Sequence, residues 1–60
     1  MITNSSQEYK MVLRTSNMEY VTKELMINKV AYYIANDYSI IAYSNNRKKK
    51  LLTNLGFMAQ

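Results

Sequence analysis

Arg47-Lys48-Lys49-Lys50 is the densest run of chemically active side chains in the sequence. Up to Asp37 the charges balance, with Lys10, Arg14, Lys23 and Lys29 set against Glu8, Glu19, Glu24 and Asp37, and no acid follows. The formal net charge of +4 is therefore the charge of that one run. A concentrated positive patch on an otherwise balanced chain suits an anionic partner: nucleic acid, an acidic protein face or anionic lipid. Asn45 and Asn46 precede the run and offer amide groups that can share such a partner. Tyr32, Tyr33, Tyr38 and Tyr43 crowd the stretch just before it. Tyr32, Tyr38 and Tyr43 are candidates for stacking on unpaired bases or for an interface. The ordinary use of these rings competes with that one. It places Tyr33 and one face of its neighbouring strand in the core and leaves Tyr32 as amphipathic surface.

Catalysis has little to work with. The chain contains no His and no Cys, so the commonest general base and the thiolate nucleophile are absent. Glu19 and Glu24 stand five apart, roughly 140° around a helix, and do not converge. A single Gly, at position 56, excludes a glycine-rich phosphate loop. Zinc sites built on nitrogen or sulfur are excluded, and the four acids are too scattered in sequence for calcium. No enzyme activity, metal or cofactor is expected.

The elements that must position the basic run can be read in order. From Glu8 to Arg14 the chain alternates, with Tyr9, Met11 and Leu13 on one side and Lys10, Val12 and Arg14 on the other, as a half-buried strand does. Ser16-Asn17-Met18-Glu19 fits a capping box, in which Ser16 and Glu19 satisfy each other's amides. Met18, Val21, Leu25, Met26, Val30, Tyr33 and Ile34 then recur at helical steps, which predicts one amphipathic helix from Asn17 to about Asn36. Tyr38 to Tyr43 is β-branched and aromatic and predicts a second strand. Beyond it, two readings compete. In the favoured one, a short helix is capped by Asn45 and ended by Gly56, with Phe57 packing back on Leu52. In the other, Asn45-Asn46 turns a hairpin and residues 47–53 return as a strand.

The expected fold is a small α+β domain over residues 8–60, ordered β-α-β-α, with the helix 17–36 packed on a short sheet. The alternative is β-α-β-β with a C-terminal hairpin. Residues 1–7 are mostly polar and predict a flexible tail. Sixty residues give a small core. Without disulfides or metals, a homodimer or an obligate partner is as natural an expectation as a monomer. Apolar runs are too short to span a membrane, and Met1 to Ser6 lack the features of a secretory signal, so the cytoplasm is the expected compartment. The abundance of Asn, Lys, Ile, Tyr and Met matches an AT-rich coding sequence, such as a phage or mobile-element gene of a low-GC bacterium. The function expected from these features is a small non-enzymatic regulator that binds nucleic acid through residues 47–50. Its alternative is a protein-binding inhibitor or regulator, phage or mobile-element encoded, that docks on an acidic host protein surface.

Overall fold

The alternating N-terminal segment forms strand β1 (Tyr9–Arg14) in the computed structural model, which describes residues 8–60. The expected tail at 1–7 lies outside the described residues. Helix α1 (Met18–Ile27), strands β2 (Tyr32–Asn36) and β3 (Ser39–Ser44), helix α2 (Lys49–Leu55) and a two-residue strand β4 (Met58–Ala59) follow. The sheet order is β2-β3-β1-β4, with every neighbouring pair antiparallel. This is an α+β architecture of two interleaved β-α-β units, each split by a strand of the other, and its strand order is the ferredoxin-like one.

The helix is shorter than the pattern predicts. It stops at Ile27, and residues 32–36 form a strand instead of its last turns. Val30, Tyr33 and Ile34 do fall at helical distance from Met26, but Val30 to Ile34 is also β-branched or aromatic at every position except Ala31. Asn28 and Lys29 decide between the two. Asn28 Nδ2 donates to the Glu24 carbonyl at 2.8 Å, and Lys29 adopts a left-handed backbone with φ of 58°. The Lys29 N–H then donates to the Met26 carbonyl and the Val30 N–H to the Leu25 carbonyl, at 3.1 and 2.8 Å. That is a Schellman ending, with buried Val30 packed at the position that meets Leu25. It uses a lysine where glycine is the easier residue. Lys29→Gly is therefore expected to raise stability by up to about 1 kcal/mol, the left-handed penalty less the extra chain entropy of glycine. Chemical denaturation reads it as a higher midpoint at unchanged slope. A lower midpoint would show that this residue is not held left-handed.

Shortening the helix changes the sheet. A ten-residue α1 returns the chain for β2, and a two-residue turn at Asp37-Tyr38 sends it back as β3. The two strands expected from the sequence, β1 and β3, are consequently adjacent and antiparallel. The Asn36 side chain builds the turn by accepting the Tyr38 N–H at 3.0 Å. The order β-α-β-β is thus present, but its hairpin lies at 32–44 and residues 49–55 are helix. The capping box at Ser16 is not formed. Asn17 occupies the N-cap without a side-chain bond, which puts Tyr20 rather than Glu19 at the third helical position. Thr15 Oγ1 accepts the Asn17 N–H instead, at 3.0 Å.

Both helices lie on one face of the sheet. Met11 from β1 and Ile40 and Ala42 from β3 form a core with Val21 and Leu25 of α1, Leu52 of α2, Val30 and Phe57. Tyr9, Leu13 and Tyr32 pack against the same cluster, as strand alternation requires. Lys10, Val12, Arg14, Tyr33, Ile41 and Tyr43 therefore point to the opposite face, which no described element covers. Among the described residues, no helix is long and apolar enough to cross a membrane.

Candidate functional site

The basic run sits where β3 turns into α2, and Asn45 organises that turn. Its side-chain oxygen accepts the N–H groups of Arg47 and Lys48, both at 2.9 Å. Its carbonyl accepts those of Lys48 and Lys49, at 3.1 and 2.9 Å. The helical geometry thus starts at Asn45, although regular α-helix begins only at Lys49. The same bonds change how the run can act. Backbone amides that a helix start usually leaves free are here occupied by Asn45. An anion would be held here by side chains.

Those side chains do not behave alike. Lys48 is half-buried, and its Nζ donates to the Asn28 carbonyl at 2.7 Å. Asn28 is the C-cap of α1, so the ammonium neutralises the negative end of that helix and ties α2 to it. Lys48 is a strut. Asn46, Arg47, Lys49 and Lys50 are exposed on the outside of the turn.

Two further lysines reach the same end of the sheet, and sequence proximity gives no sign of them. Lys10 pairs in register with Tyr43, one residue inside the pairing of Tyr9 with Ser44 at the end of the ladder. The Ala31 carbonyl accepts the Tyr43 N–H at 2.9 Å, which fixes Lys29 just beyond the same edge. Glu8 and Glu24 lie toward this end as well. Against them stand Lys10, Lys29 and the four cations of the run, which leaves a clear positive excess.

The candidate tyrosines separate. Tyr32 packs on the core side, Tyr38 is exposed in the hairpin turn, and Tyr43 lies on the uncovered face. The partner of Tyr43 is Tyr33, with ring centroids 6.0 Å apart and planes tilted by 44°. Helical spacing puts Tyr33 in the core and Tyr32 on the surface. Strand geometry exchanges the two.

Elsewhere among the described residues the surface offers little chemistry. A hollow of about 250 Å³ lined by Asn17, Glu19, Tyr20 and Lys23 opens at the start of α1, at the end of the sheet away from the basic run. It gathers one acid and one base on successive helical turns and holds no nucleophile with a base beside it. Among the described residues, no three acidic side chains come together as a metal site would need. Comparison of the chain with protein-family models, with characterised proteins and with solved structures finds no match.

Proposed function

We propose that this chain is a small nucleic-acid-binding regulator that engages the phosphate backbone through the basic end of its sheet. The observation that carries the proposal is the gathering of Lys10 and Lys29, from β1 and the α1–β2 link, at the end that carries Arg47, Lys49 and Lys50. A line of cations from separate elements suits a polyanion better than a lone surface run does. Phosphate contacts position a protein without reading sequence, so binding is expected to be general and salt-sensitive.

The test keeps Lys48, because that residue holds the two helices together. Arg47→Gln, Lys49→Gln and Lys50→Gln are combined, and binding to DNA and RNA oligonucleotides is followed by fluorescence anisotropy over a salt series. The log–log salt slope should shrink by about 0.7–0.9 for each phosphate that the variant no longer neutralises. Affinity should fall by a similar factor for every sequence, while thermal unfolding stays where it was. An unchanged slope would overturn the proposal. Absence of nucleic-acid binding by the native chain would return the corner to the alternative, docking on an acidic protein surface.

A further inference from the structure

The face of the sheet opposite the helices combines apolar and aromatic side chains with cations and carries no strand carboxylate. Across the four strands, Tyr33, Ile41, Val12 and Met58 lie in register as one row. Tyr43 stands beside that row on β3, its ring tilted against Tyr33. Tyr33 and Met58 are 43% and 71% exposed, whereas Ile41, in the middle, is only 5% exposed because its neighbours close over it. The four strands contain no Asp or Glu at all. Their only charged residues are Lys10 and Arg14, and both fall on this face, paired in register with Tyr43 and Ser39. Four residues apart on one strand, the two cations are separated by about 13 Å along it and bracket the apolar row.

We infer that this open face is a binding platform for single-stranded nucleic acid, with unpaired bases stacking on Tyr33 and Tyr43 and phosphates passing Lys10 and Arg14. The inference rests on the nucleic-acid reading and specifies which form of nucleic acid the protein takes. Aromatic rings on a flat surface reward a base only when its own face is exposed. A duplex buries those faces in its internal stack and gains nothing from the tyrosines. Charge selects among occupants. A second copy laid face to face would bring two pairs of cations together with no strand carboxylate between them, and an acidic peptide would leave the exposed Tyr33 ring and the half-buried Tyr43 ring without a flat partner. A single strand satisfies both features. Its path continues from Lys10 to the basic end, so the platform and the corner form one track.

The test compares a fluorescein-labelled oligothymidylate, an oligouridylate and a blunt DNA duplex of equal length against the native chain and Tyr33→Leu, Tyr43→Leu and their double variant. Leucine keeps an apolar cover over Ile41. The native chain should prefer the single strands. Each substitution should weaken single-strand binding by about five- to a hundredfold. Duplex affinity and the salt slope should stay unchanged, because every cation that meets a phosphate is still in place. The native protein supplies a second reading, since it has no Trp and its intrinsic emission is dominated by Tyr. Stacking should quench that emission with oligothymidylate and not with duplex. Equal affinity for single strand and duplex, or single-strand binding and emission indifferent to the tyrosines, would overturn the platform and leave the basic corner standing. A native chain that binds none of the three probes would overturn both.

Discussion

Leu25→Ala is expected to remove most of the stability of this domain. Leu25 is fully buried at the centre of the helix face, in the cluster that joins α1 to β1, β3 and α2. Its truncation loses the transfer free energy of the side chain and leaves a cavity, about 2–5 kcal/mol together. A chain of this size without disulfides or metals rarely has more than ~3–5 kcal/mol in total. Melting followed by circular dichroism should shift downward by roughly 4–8 °C for each kcal/mol of that loss, with a substantial unfolded fraction before heating begins. Met26→Ala, one position along the same helix, serves as the contrast. Met26 is 62% exposed, and its truncation should change stability by no more than about 0.5 kcal/mol. Equal melting of the two variants would mean that α1 does not present the face described.

The contrast between Leu25 and Met26 also shows what the sequence pattern could and could not resolve. Elements with a single clear period were legible. β1 alternates over its whole length, whereas α2, bounded by Asn45 and Gly56, shows no period of its own and competed with a returning strand at 47–53. The failure lay in residues 28–36, where helical and strand spacings coincide. Val30, Tyr33 and Ile34 sit three and four residues apart, yet Val30, Tyr32 and Ile34 also alternate. The left-handed turn at Lys29 that separates them has no local signature, because lysine rarely adopts that backbone. One residue of error at Ser16 was enough to lose the capping box, and a two-residue strand such as β4 is too short to show any period.

For the candidate site, the limits are of another kind. Arg47 to Lys50 are contiguous and could be read directly, but contiguity made them look equivalent. Only packing reveals that Lys48 faces the end of α1. Lys10 and Lys29 join the run through strand pairing, a tertiary event that the spacing in sequence does not encode. Tyr33 escapes the sequence pattern for the reason that misplaces the helix. Once residues 32–36 become a strand, alternate side chains exchange faces, and the ring assigned to the core becomes the exposed member of a tyrosine pair.

Gly56→Ala is expected to cost about 2 kcal/mol, and its effect should reach the uncovered face. Gly56 ends α2 with φ of 107°, beyond the narrow left-handed well that other residues enter at a cost of roughly 1–2 kcal/mol. A Cβ at this position would also stand 3.2 Å from Leu13 Cδ1, so the leucine must give way slightly. The turn it closes is a Schellman motif, with the Gly56 N–H on the Thr53 carbonyl and the Phe57 N–H on the Leu52 carbonyl, at 3.0 and 2.9 Å. That motif aims Phe57 into the core and lays Met58 and Ala59 against β1. Loss of the motif should therefore appear first as faster hydrogen exchange in the β1–β4 pairing and only then as a lower urea midpoint. Asn at the same position separates the two causes. It meets Leu13 with the same Cβ but visits the left-handed region more readily than Ala, so Gly56→Asn should fall between the native chain and Gly56→Ala. If Asn and Ala are equally destabilising, the Leu13 contact dominates and the backbone term is small. If neither destabilises, the left-handed ending of α2 is wrong, and with it the placement of β4 beside Val12.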